Sequence, residues 1–268
     1  MKTLILSWPE QLIVILSGCV IKPAYMILSF ILILLLMKNR EKDLTLIKWG
    51  LITFLAGELF CAANFLLAGG ESEIMEILHG QGMVGLWIFL PWGFYLLMDD
   101  RVIGFSNPEK RCAMTPLCRR CWKNQDAACA IGKILPYLGF ALAVVSLMPL
   151  SAPMKPFKIN MIVNGYPTVF SFPLLVLIFE LRVYAVIGSL LLATSGFLHL
   201  KKASITNAVF FTGFGFMAYS LFRFILLACY DGIPHWMNFW EEITELMMIF
   251  LLAYFLYLFS KQLKITFL

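Results

Sequence analysis

The chain has 268 residues, of which 61% are apolar and only 14% are Asp, Glu, Lys or Arg. A soluble domain has about 45–50% and about 25% respectively, so this composition excludes an ordinary water-soluble fold and makes the lipid bilayer the expected solvent. The net charge of +5 does not by itself indicate a nucleic-acid partner, because the location of the charges says more than their sum.

Roughly 20 apolar residues cross the hydrocarbon layer of a membrane. Runs of that kind, bounded by charges or by Gly and Pro, occur at 12–37, 49–69, 82–98, 134–150, 170–198, 205–229 and 243–260. Before the first run, Trp8-Pro9-Glu10 interrupts the apolar stretch, Lys2 is the only early positive charge, and no small-residue cleavage site follows promptly. A removable leader is therefore not expected. The third and fourth runs are barely long enough. The fifth exceeds one membrane thickness and contains Pro173, an excess that tilt or an interfacial first turn would absorb. In the sixth, Gly213, Gly215 and Ala218 favour close helix packing. The expected architecture is an all-α, polytopic bundle of about seven transmembrane helices. It forms one domain over 1–268, with no repeat and no separate soluble unit.

With seven spans, the loops at 38–48, 99–133 and 200–204 share a side with the C-terminal tail, and together they carry fifteen Lys and Arg. The opposite side has Lys2, Lys155 and Lys158, and its connections lean acidic through Glu71, Glu73, Glu76, Asp231, Glu241 and Glu242. The positive-inside rule then places the N-terminus outside and the C-terminus inside, in an integral protein of a bacterial cytoplasmic (inner) membrane. An even span count would spoil both regularities.

Four of the seven cysteines fall in the inner loop, as Cys112, Cys118, Cys121 and Cys129, with the spacing C-x5-C-x2-C-x7-C. A C-x-x-C turn lets two thiolates approach one ion, and two further cysteines complete a four-sulfur shell suited to zinc or an iron–sulfur cluster. A cytosolic loop is kept reduced, which favours metal binding or thiol redox chemistry over structural disulfides. Arg119, Arg120 and Lys123 would stabilise the thiolates. The spacing matches neither the ferredoxin run nor paired zinc knuckles, so free surface thiols remain an alternative. Cys19, Cys61 and Cys229 lie within or at the outer ends of spans and read as packing residues.

Charges within the spans are the second signal, since a charge at bilayer depth costs several kcal/mol unless paired or hydrated. Glu58, Glu180 and Arg182 form an expected mid-membrane set. Residues 180 and 182 point to different helix faces, which leaves Glu58 as a partner for Arg182. A second group lies nearer the outside: Lys22, Asn64, Glu76, His79, Arg223, Glu241, Glu242 and Glu245. It reads either as a water-filled site for a polar or charged ligand or proton, or as interhelical ion pairs. Haem is not expected, because His199 is at an inner helix end, His79 and His235 are outside, and His235 falls in a loop. Retinal is not expected either, because no lysine lies midway along the last span. P-loop, H-E-x-x-H and G-x-S-x-G signatures are not found.

Two functions follow as expectations. The first is a redox or membrane-anchor component of an electron-transfer system. Its four-cysteine site would be cytoplasmic, Glu58, Glu180 and Arg182 would line a quinone or proton site, and another membrane or redox subunit would be its partner. The second is a transporter or small-molecule-binding membrane protein, with structural zinc at the cysteines and the outer polar group as its binding site. An intramembrane enzyme using Glu58 or His79 as acid or base is a third possibility, for which no neighbouring nucleophile is legible. The topology has a direct test: an impermeant thiol reagent should modify Cys118 from the cytoplasmic face only, and labelling from the outer face would reverse the orientation.

Overall fold

The computed structural model describes residues 2–103, 130–201, 205–258 and 260. Within them the chain forms seven helical rods and one small sheet. β1 (Lys2–Ile5) leads into α1 (Trp8–Leu36), followed by α2 (Lys42–Ala68), α3 (Glu73–Leu97) and α4 (Ala130–Val145). A hairpin of β2 (Phe157–Val163) and β3 (Tyr166–Phe172) precedes α5 (Leu174–Leu200), α6 (Thr206–Cys229) and α7 (Pro234–Leu258). Five rods, α1, α2, α3, α5 and α6, are long and apolar enough to cross a membrane. Within the described residues α4 is shorter than that standard, and α7 carries Glu241, Glu242 and Glu245 in its first half.

The helix starts explain where the apolar runs were drawn too short. Trp8-Pro9-Glu10 opens α1 and does not interrupt it. Pro fits the first turn, and the Glu10 carboxylate accepts hydrogen bonds from the Ser7 backbone N–H (2.7 Å) and hydroxyl (2.6 Å). α3 begins at Glu73, with Glu73 and Glu76 in its first turn where the helix dipole favours acids. Those same charges hid its first two turns from a hydropathy reading.

The expected fifth span at 170–198 needs correction. Residues up to Phe172 belong to β3, and the helix begins at Leu174, directly after Pro173. Proline lacks an N–H and pushes its predecessor toward extended backbone. The residues before it alternate and fold back on β2 through Asn164-Gly165, both with positive φ (50° and 82°), as a tight hairpin turn requires. β1 adds to β2 in parallel, giving a three-stranded sheet of order β1-β2-β3. The sheet sits over one end of the bundle. Lys158 Nζ lies 2.7 Å from Glu71 Oε1 in the α2–α3 turn, and the Asn164 N–H donates to Gln11 of α1 at 2.9 Å. The otherwise all-α architecture thus carries a small β cover.

α2 and α3 form a hairpin, α5 and α6 a second, and α3 packs on α6 to join them; α1 packs on α2 and α7, and α4 on α5. Leu66, Leu67, Leu190 and Phe197 project outward and are exposed, as side chains facing lipid do. The α2–α3 contact is backbone to backbone: a methyl group added at Gly82 would sit 2.5 Å from the Gly57 α-carbon and 2.6 Å from the Thr53 carbonyl oxygen. Gly213 and Gly215 likewise bring α6 against Leu191, Leu192 and Ile88. Close approach of this kind is the usual role of small residues between membrane helices. Gly82→Ala should therefore destabilise the detergent-solubilised protein by about 1–3 kcal/mol, read as a lower unfolding temperature. Gly18→Ala, which meets nothing within 4 Å, should leave that temperature unchanged.

Candidate functional site: a buried polar centre

Six of the seven rods send polar side chains to one place. The contributors lie about 9–17 Å along α2, α3, α5, α6 and α7 from the ends under the sheet, at about 1.5 Å per residue, with Lys22 and Tyr25 arriving from further along α1. Two of these rods contain a π turn at the site. Ser17–Ile21 immediately precedes Lys22, and Phe179–Val183 contains Glu180 and Arg182. Such turns rotate the helix face locally and are frequent at functional positions.

Glu58, with no exposed surface, is the hub on one side. Lys22 Nζ lies 2.5 Å from its Oε2, the Tyr25 hydroxyl donates to the same oxygen at 2.7 Å, and His79 Nδ1 lies 3.3 Å from Oε1 and 3.2 Å from the Gly57 carbonyl oxygen. Lys22 also reaches Glu242 Oε1 (3.1 Å) and the Cys61 sulfur (3.4 Å), and the Tyr25 hydroxyl also lies 2.6 Å from Glu242 Oε2, so its single proton is shared between the two carboxylates. The glycine contact between α2 and α3 makes this possible, because it brings Glu58 and His79 to the same level on abutting helices.

Arg223, 1% exposed, is the hub on the other side. Its Nε donates to Glu180 Oε2 at 2.9 Å, its Nη1 pairs with Glu241, and its guanidinium stacks 4.6 Å above the Phe172 ring of β3. The Tyr219 hydroxyl donates to the second Glu180 oxygen at 2.8 Å. Asn64 and Glu76 form the rim: the Asn64 amide donates to Glu76 at 3.3 Å and accepts from the Ser72 N–H at 2.9 Å. Glu245 is 2% exposed and neither of its oxygens has a hydrogen-bond partner among the described residues.

The expected mid-membrane set is thus divided. Glu58 and Glu180 join the residues read as the outer group. Arg182 does not pair with Glu58; it donates to the carbonyl oxygens of Pro149 (2.7 Å) and Ala152 (2.6 Å), holding the Met148–Ser151 turn against α5. Glu180 is not midway along its helix either, since α5 starts at Leu174. His235 is not in a loop: it lies in the first turn of α7, buried, with Nε2 3.3 Å from Glu10. Cys61, read as a packing residue, has its sulfur within 4.8 Å of ligand atoms of both Glu58 and His79. Tyr25 and Tyr219, buried phenols that each bridge to a carboxylate, had no signal in the sequence beyond their presence on polar helix faces. Cys112, Cys118, Cys121 and Cys129, with Arg119 and Arg120, lie outside the described residues.

Five carboxylates, Glu58, Glu180, Glu241, Glu242 and Glu245, face only two permanently charged cations, Lys22 and Arg223, with His79 as a further base. Buried charge is tolerated when it is neutralised. A buried assembly with surplus carboxylates is chemically suited to taking up positive charge, as protons or as a cationic ligand. Comparison with protein-family models, curated proteins and solved structures returns no match, so function is read from this chemistry alone.

Removing one partner of a buried ion pair leaves the other charge uncompensated, at a cost of about 3–5 kcal/mol. Arg223→Met should lower stability by that order, because Glu180 and Glu241 then face each other. Arg223→Met combined with Glu180→Gln should recover a large part of the loss. Denaturant titration of the detergent-solubilised single and double variants measures both.

Proposed function

We propose that the protein is a seven-span integral protein of a bacterial inner membrane, N-terminus outside, that binds a small cationic ligand in the polar centre, as a transporter or small-molecule-binding membrane protein does. In this topology the sheet and the α2–α3 turn lie outside, with Asn64 and Glu76 on the outer side of the centre. One observation carries the reading: the carboxylates outnumber the cations, and Glu245 is buried among them without a partner. Ion pairs that served only to hold the bundle would be balanced, since each uncompensated charge subtracts from stability.

The cysteine loop supports a second, separate role. Its C-x5-C-x2-C-x7-C spacing in a basic inner loop suits a zinc or iron–sulfur site, which would make the protein a redox or anchor subunit of an electron-transfer system. The quinone half of that reading has less support. The apolar cleft of about 790 Å³ between α3, α4, α6 and α7 is lined by residues such as Phe94, Leu142, Phe211 and Phe255, and by none of Glu58, Glu180 or Arg182.

Thermal unfolding of the full chain in detergent tests the first reading. Cations as a class, including alkali, alkaline-earth and organic ammonium ions, are screened against anions of matched size. At least one cation should raise the unfolding temperature, by an amount equivalent to about 2.7 kcal/mol at a hundredfold excess over its Kd. No response to any cation overturns the reading. For the loop, anaerobic purification followed by metal and acid-labile sulfide analysis decides the chemistry. Iron with sulfide supports electron transfer and colourless stoichiometric zinc supports a structural site. A metal-free protein that is indifferent to Cys118→Ser and Cys121→Ser removes the site.

A further inference from the structure

We infer that the cationic ligand is a divalent metal ion held by Glu58, Glu242 and Glu245, and that Lys22 is the displaceable cation that competes with it; this rests on the cation-binding reading above. Glu242 and Glu245 are three residues apart on α7 and so share a helix face, and Glu58 approaches from α2. One carboxylate oxygen from each lies within 4.8 Å of the other two. A six- to eight-coordinate ion with oxygen ligands at 2.0–2.6 Å needs donors about 3 Å apart, a closure of roughly 1–2 Å that side-chain rotation supplies.

Among the described residues both oxygens of Glu245 have no hydrogen-bond partner, and Glu58 Oε1 has only the His79 Nδ1 contact at 3.3 Å. An unpartnered carboxylate 98% removed from solvent is a costly feature. Protonation alone does not resolve it, because a neutral carboxyl group still needs an acceptor for its own hydrogen. A metal ion satisfies all three atoms at once. Charge points the same way: three carboxylates face the single Lys22 ammonium, with the His79 imidazole beside Glu58 as the further base, and the surplus is negative.

Lys22 sits where such an ion would be felt first. Its ammonium is 2.5 Å from Glu58 and 3.1 Å from Glu242, so it neutralises two of the three ligands and is repelled when an ion occupies them. The neighbouring set of Glu58, Cys61 and His79 also lies within 4.8 Å, and its sulfur and nitrogen would suit zinc. Those two side chains, however, already contact Lys22 and the Gly57 carbonyl oxygen respectively. The unsatisfied oxygens therefore favour the carboxylate set, whose hard ligands select Mn2+, Mg2+ or Ca2+.

Mn2+ is the probe, and binding is read as loss of the free-ion electron paramagnetic resonance signal. The full chain is used in detergent with Cys118→Ser and Cys121→Ser in place, so that loop thiolates do not contribute. The unaltered centre should bind Mn2+ stoichiometrically. Glu245→Gln should weaken binding by more than about 100-fold, while the metal-free protein unfolds at the same or a higher temperature, because a buried unpaired charge has been removed. Lys22→Gln should tighten Mn2+ binding by at least roughly ten-fold. If that variant does not fold, the Glu245→Gln comparison decides alone. Retention of Mn2+ binding by Glu245→Gln, or unchanged affinity in folded Lys22→Gln, overturns the proposal. If Mn2+ fails to bind while an organic ammonium or alkali ion stabilises the protein, the divalent site falls and the broader cation reading stands. If no cation binds, both fall.

Discussion

Charge that has been taken out of water must be answered within the protein, and that requirement organises this bundle. Glu58 and Arg223 are almost wholly enclosed, and each is surrounded by partners drawn from several helices. The contacts span large separations in sequence, such as Lys22 with Glu242 and Tyr25 with Glu58. The polar centre therefore acts as a cross-link between α1, α2 and α7 in a medium where apolar packing alone gives little preference for one helix neighbour over another.

Three devices bring the groups into reach. Glycines let the α2 and α3 backbones touch, which sets Glu58 beside His79. The π turns in α1 and α5 reset the helix faces where Lys22 and Glu180 emerge. The sheet closes the end, with Phe172 laid over the Arg223 guanidinium, an arrangement in which an aromatic face replaces some of the hydration that the cation has lost. Arg182 belongs to a different task. By binding two carbonyl oxygens it ties the Met148–Ser151 turn to α5, satisfying backbone groups that a broken helix leaves open.

The sequence disclosed the apolar rods well, because hydropathy over a span is a summed property that single errors barely alter. It disclosed their ends poorly wherever polar or charged residues lie inside a helix, as at Glu73, Glu76 and His79 in α3 and at Glu241, Glu242 and Glu245 in α7. That Glu58 and Glu180 deserved notice was legible, since a carboxylate inside an apolar run is unusual, and both are buried. Pairing was not legible, because neighbour relations among helices depend on packing that no local pattern encodes. Arg182 reads along the chain as the mid-membrane cation and Arg223 as an outer one, yet Arg182 holds a turn and Arg223 anchors the centre. The β hairpin was hidden for a related reason. Its alternating residues are apolar enough to extend the run that follows, and only Pro173 and Asn164-Gly165 marked the boundary.

The glutamates of α7 carry a consequence for how the protein is assembled. In the seven-span arrangement proposed above, α7 leaves the ribosome after α1 and α6 and is the least able of the rods to enter lipid unaided, since an ionised side chain at a helix centre disfavours insertion by about 2.5–3.5 kcal/mol. Its counter-charges, Lys22 and Arg223, belong to rods made earlier. They would already be waiting in the membrane as fixed positive sites when α7 emerges. α7 would then enter by docking onto a prepared polar groove, where Lys22 and Arg223 offset part of the cost of bringing its glutamates into lipid.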